Sequence, residues 1–176
     1  TLVATDRRTS GSQLEDEGIE LRANSRIREN VGERVHVNTV SYNRRVLLIG
    51  EVPTAQDKQL VEKIVQGVDN VREVVNELAV MGNSSFTQRS SDTIVTGKVK
   101  ANLLDAKDLF ANAFKVVTER GTTYLMGRVT QREADRATDI TRRTGGVQKV
   151  VRVLEIISED ELKNLLPAPA PADAKK

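Results

Sequence analysis

The sequence predicts an α+β protein made of two tandem αββαβ units, each a three-stranded mixed sheet packed by two helices. Two internal matches carry this expectation. Val46-Leu-Leu-Ile-Gly50-Glu-Val52 returns as Thr123-Tyr-Leu-Met-Gly127-Arg-Val129, 77 residues on, and Val71-Arg-Glu-Val-Val75 returns as Val147-Gln-Lys-Val-Val151, 76 residues on. A third observation is that Asp16, Ile19, Ala23 and Ile27 superpose on Asp92, Val95, Val99 and Leu103 at the same 76-residue offset. A long period in only two copies describes paired small domains, because solenoid repeats are shorter and usually more numerous.

The elements follow in order. Residues 1–14 are polar and lack any period, so they read as a flexible leader. Ile19, Ala23, Ile27 and Val31 lie on one helical face that ends near Gly32. Val35, Val37, Val40 and Tyr42 form a first strand, Asn43-Arg44 a turn, and 46–52 a second strand whose apolar run marks it as central. A helix opens after Pro53-Thr54 and buries Val61, Ile64, Val65 and Val68; 71–80 is the third strand. This first domain spans 15–81, and 82–91, rich in Gly, Ser, Asn and Thr, is the linker. The second domain, 92–157, repeats the order: helix 92–104, strands 113–118 and 123–129, helix 131–144, and strand 147–157. Ser158 to Glu161 is a capping box opening a short helix, 158–166, that carries Leu162, Leu165 and Leu166. The Pro/Ala segment 167–176 reads as a disordered tail.

Composition narrows the function classes. The absence of cysteine removes disulfides and thiolate metal sites, and aromatic residues make up only 3% of the chain, which disfavours a base-stacking or sugar-stacking surface. The two domains differ in sign: 15–81 holds 9 Lys/Arg against 12 Asp/Glu, a net −3, while 92–157 holds 12 against 8, a net +4. No stretch reaches the roughly 18 consecutive apolar residues of a membrane span. The chain begins at Thr1 without Met, consistent with an upstream export or lipid-attachment segment having been removed.

The order of elements, the apolar strands ending in Gly and Val (LLIGEV, YLMGRV) and the Gly-Val-x-x-Val segments at Gly67 and Gly146 together resemble the BON domain. Two copies, the leader Asp6-Arg-Arg-Thr-Ser-Gly and Asp92-Thr93 ahead of Lys98-Val99 are similar to the dual BON-domain lipoproteins of the Gram-negative outer membrane. That resemblance covers about residues 5–157. It implies a non-enzymatic envelope-integrity role, an acyl anchor on an upstream Cys, and a place on the periplasmic face of the outer membrane. It also implies binding of anionic phospholipid through the first helix of the second domain. The chain departs from the pattern at Ile94, where relatives carry an aromatic residue, and in its Pro/Ala tail.

Helix 92–104 gives the same surface from its own residues. At about 100° per residue, Val95, Val99 and Leu103 form the core face, while Ile94, Gly97, Ala101 and Leu104 form a second stripe edged by Lys98 and Lys100, with Lys107 just beyond. An apolar strip between cations suits shallow insertion beside lipid phosphates. In the first repeat the equivalent positions are Gly18, Leu21, Ser25 and Arg28, so the fold itself does not require the strip. The competing expectation is that Ile94 and Leu104 pack on the other domain or on Phe86.

The remaining candidates are weaker. His36 is the only histidine, alternates with Val35 and Val37, and is read as an outer-face strand residue; no metal or cofactor site is expected. Asp57, Glu62, Glu133 and Asp139 read as helix-surface carboxylates, and no nucleophile or phosphate loop accompanies them, so no enzymatic activity is expected. Gly145-Gly146 joins a helix to a strand, unlike the Gly-x-x-Gly loop between two helices in nucleic-acid clamps, so nucleic acid is not an expected partner. The expected partner is an anionic phospholipid surface, with the chain itself a monomer. The alternative is a protein-interaction module that binds another outer-membrane protein through the domain pair or Leu162 to Leu166.

Overall fold

A computed structural model describes residues 6–165; Leu166 and the tail 167–176 lie outside the described residues. The first domain consists of α1 (Ser10–Val31), β1 (His36–Tyr42), β2 (Arg45–Val52), α2 (Ala55–Gln66), β3 (Glu73–Asn76) and β4 (Ala79–Val80). The second consists of α3 (Phe86–Asp105), β5 (Phe114–Glu119), β6 (Thr122–Val129), α4 (Gln131–Arg142) and β7 (Lys149–Ile156), and α5 (Glu159–Leu165) follows. In each sheet the second strand is central, antiparallel to the first and parallel to the last.

Three boundaries depart from the expectation. Helix α1 starts at Ser10, because the Thr9 hydroxyl accepts a hydrogen bond from the Ser12 amide and caps it. Arg7 is buried, so the leader is structured from that point. The last strand of the first domain is broken at Glu77-Leu78: the Asn76 side chain accepts from the Leu78 amide and donates to the Lys58 carbonyl, while β3 and β4 both pair with β2. Helix α3 begins at Phe86 with Ser85 as its cap, six residues before the expected start, which shortens the linker.

The hairpin turns show why Asp16 and Asp92 are repeated. Asn43 and Arg44 have φ of 51° and 65°, and Arg120 and Gly121 have 48° and 78°, the left-handed pair that a two-residue hairpin loop requires. Asp16 accepts from the amides of Asn43 and Arg44 and from the Ser41 hydroxyl, each at 2.8 Å. Asp92 accepts from the amides of Arg120 at 2.8 Å and Gly121 at 3.0 Å. A buried helix carboxylate thus satisfies donors that the turn points inward, which removes the penalty of burying them unpaired.

Each sheet alternates between two cores. Val46, Leu48 and Val52 face α1 and α2, and Leu125 and Val129 face α3 and α4. Their neighbours on the opposite face, Leu47, Ile49, Tyr124 and Met126, meet in a third cluster with Val40, Tyr42 and Val153. The central strands are apolar on both faces because the two sheets pack on one another across that cluster. Polar contacts ring it. The Arg7 guanidinium reaches Glu133 at 2.6 and 2.8 Å and the Arg128 carbonyl at 2.9 Å, Lys115 donates to Glu20 and to the Ser41 carbonyl, and Arg120 bonds Glu51.

Candidate functional site

Helix α3 buries Asp92, Val95, Val99 and Leu103 and turns its opposite face outward. All six residues of the expected lipid surface, Ile94, Gly97, Lys98, Lys100, Ala101 and Leu104, are exposed. Ile94 is 60% exposed and Leu104 74%, so neither packs on the other domain. Phe86 is 84% exposed and does not cover them either. Lys98, Lys100 and Lys107 carry no ion pair among the described residues and are exposed, leaving their charge to the surroundings.

Phe86 belongs to the same stripe, eighteen residues or five helical turns before Leu104. By composition it falls in the expected linker 82–91. The signal was present in Ser85-x-x-Gln88: the Ser85 side chain accepts from the Gln88 amide, as a helix cap does. The stripe therefore runs the full 20-residue helix, about 30 Å, and half-exposed Phe110 follows beyond its end. Helix α1 also exposes two leucines, Leu14 and Leu21. Its stripe carries Arg28 and is edged by Glu17, Arg22 and Glu29, so acidic and basic side chains are mixed there where the α3 stripe is edged by Lys98 and Lys100.

Beside the C-terminal half of α3 lies a groove of about 660 Å³, bounded by Lys100, Ala101 and Leu104, by Phe114 and Lys115 of β5, by Tyr42 of the first domain, and by Asp6 and Arg8 of the segment that precedes it. Arg8 is engaged by Asp6 and Asp16 and stacks 4.6 Å over the Tyr42 ring, and Lys115 is held by Glu20. Of the groove's cations, Lys100 is the one without an ion pair among the described residues.

Other candidate residues move. Glu133, expected on a helix surface, is buried: it completes a capping box with Thr130 and accepts the Arg7 fork. Burial would raise its carboxyl, but the Arg7 guanidinium and the Thr130 amide outweigh that and hold it below the ordinary carboxylate range. Asp57 is largely buried and is bonded by Arg34 and the Thr54 hydroxyl. His36 does not stand on a solvated face; it is half-buried with Nδ1 3.2 Å from both Glu51 oxygens. The Ser158 to Glu161 capping box is present, and Leu162 and Leu165 are half-buried, so α5 presents no open apolar face within the described residues. No helix among the described residues is long and apolar enough to cross a membrane.

The family model for the BON domain matches residues 15–82 and 91–158. The chain belongs to the BON-domain family. It is 40% identical over 157 residues to the outer membrane lipoprotein DolP of Haemophilus influenzae, covering 88% of this chain and 81% of that one. It is 32% identical over 154 residues to the 21 kDa hemolysin of Actinobacillus pleuropneumoniae, covering 86% and 79%. It is also 32% identical over 108 residues to the osmotically-inducible protein Y of Escherichia coli, covering 60% and 54%. These names describe a lipoprotein, a hemolysin and an osmotically-inducible protein, and none names an enzyme. The exposed stripe thus lies on the first helix of the second BON domain.

Proposed function

We propose that this protein acts at the periplasmic face of the outer membrane as a non-enzymatic BON-domain envelope protein, and that α3 binds anionic phospholipid. The observation that carries the reading is the exposed stripe Phe86, Ile94, Leu104, lying opposite the core face and edged by Lys98 and Lys100, which have no ion pair among the described residues. The 40% identical relative named as an outer membrane lipoprotein supports the location. At about 1 kcal/mol per basic residue near an anionic surface, the three lysines supply about 3 kcal/mol, and the apolar side chains add a few more on insertion. That sum corresponds to a Kd of roughly high micromolar to millimolar for the free chain. A lipid anchor of the kind implied by the lipoprotein relative would raise the local concentration enough for such affinity to suffice.

Co-sedimentation of the chain with phosphatidylglycerol vesicles, against phosphatidylcholine vesicles at the same low salt, tests this reading. Preferential recovery with the anionic vesicles, lost as salt rises, is the expected outcome. Equal and negligible recovery with both would refute it.

A further inference from the structure

We propose that His36, Glu51 and Glu119 bind one divalent first-row transition-metal ion at the seam between the two BON domains. One ligand atom from each of the three residues lies within 4.8 Å of the other two. His36 and Glu51 face each other directly across β1 and β2, while Glu119 arrives from the end of β5 in the other domain. The site therefore exists only when the domains are packed.

The second, independent observation concerns Glu119. It is 6% exposed, yet its carboxylate has no hydrogen bond or ion pair among the described residues. Its neighbours do not share that condition. Glu51 is bonded by Arg120, His36 and the Ser84 amide, and Asp92 by Gln88 and the turn amides of Arg120 and Gly121. In the first repeat the position equivalent to Glu119 is Tyr42, a member of the apolar cluster between the sheets. A residue that could have been apolar there is instead an acid whose carboxylate converges on His36 and Glu51 at the edge of a cavity. Burial first, then the charges of Glu51 and Asp92, raise the Glu119 carboxyl to about 7.

One imidazole nitrogen and two carboxylates suit zinc, manganese or ferrous iron; calcium and magnesium favour oxygen-only sets. Zinc bonds of about 2.0–2.2 Å place tetrahedral ligand atoms roughly 3.3 Å apart, which the 3.2 Å His36 to Glu51 distance already meets. Glu119 then closes by a side-chain rotation. A cavity of about 320 Å³ borders His36 and Glu119 and has room for a water as the remaining ligand. Arg120 and the Ser84 amide fix the orientation of the Glu51 carboxylate, as hydrogen bonds behind a ligand do. The ion joins the domains and stabilises the packed pair.

The test is calorimetric titration of the chelator-treated full chain with ZnCl2, with thermal melts alongside and Co2+ as a spectroscopic substitute. We expect one ion per chain, a Tm that rises with Zn2+, and visible Co2+ ligand-field bands of a low-coordinate site. Glu119→Gln should weaken binding by roughly 10-fold or more while keeping the metal-free Tm equal or higher, because it removes a buried charge. His36→Ala should lose the Co2+ bands. Failure of the unaltered chain to take up one ion at up to about 1 mM Zn2+ overturns the proposal. So does binding that both variants leave unchanged, which would assign the ion to scattered surface carboxylates. A Tm that responds to pH alone would assign a proton to Glu119 in place of the metal.

Discussion

Two glycines show how one residue type takes opposite roles. Gly50 has φ of 119°, and a Cβ there would lie 2.0 Å from the His36 carbonyl oxygen of the neighbouring strand. Since the obstacle is backbone of a paired strand, it has little room to yield, and Gly50→Ala should cost more than about 3 kcal/mol in denaturant unfolding. Gly97 is exposed, helical and open around its Cβ position. Gly97→Ala should instead stabilise by about 0.5–1 kcal/mol, and a circular-dichroism melt of the two variants should show shifts of opposite sign. Asp16 makes a further residue-level case. Burial alone would raise its carboxyl, but the amides of Arg44 and Asn43, the Ser41 hydroxyl and Arg8 outweigh this and hold it below its ordinary 3.8.

At the scale of the element, α3 combines a face dictated by the fold with a face that is free to vary. Val95, Val99 and Leu103 match Ile19, Ala23 and Ile27 of α1, and the sequence alone makes them core. The outer stripe differs between the two helices, and that difference makes Ile94 and Leu104 legible as candidates from the sequence. Phe86 is not legible in the same way, since its neighbours Asn83, Ser84 and Ser85 have linker composition and only the cap geometry joins it to the helix. Ile94→Asp should abolish vesicle binding while shifting unfolding free energy by less than about 1 kcal/mol, because the side chain stands in solvent. Phe86→Ser should reduce vesicle recovery without moving the melt. A large loss of stability in either variant would show that the stripe is a packing face.

At the scale of the whole molecule, the two domains are held by an apolar cluster between sheets and by charged contacts around it. Arg7 and Glu133 are both buried, and removing one leaves the other charge without a partner. Arg7→Ala should therefore destabilise by about 3–5 kcal/mol, measured as a fall in the urea midpoint. The same pair shapes the acid response. Asp16 and Glu133 are both held below their ordinary values of 3.8 and 4.5, so their contribution is fully present above about pH 4.5 and is lost as the pH falls through their folded values. Urea midpoints should decline on acidification below about pH 4.5, and Arg7→Ala should show a shallower decline because Glu133 no longer has its strongest partner.

The sequence by itself determined the two-domain plan, the helical core faces, the central position of β2 and β6, and the apolar stripe on α3. Each follows from a local period or from comparing one repeat with the other. Only the tertiary structure decided what the second apolar face of β2 and β6 meets, why Arg7 and Glu133 are buried, and that Glu119 converges on His36 and Glu51. Those contacts join residues about 70 to 130 positions apart across a domain interface. The helical and strand periods specify which side of an element is apolar, whereas the partner of that side is set by how the two domains dock.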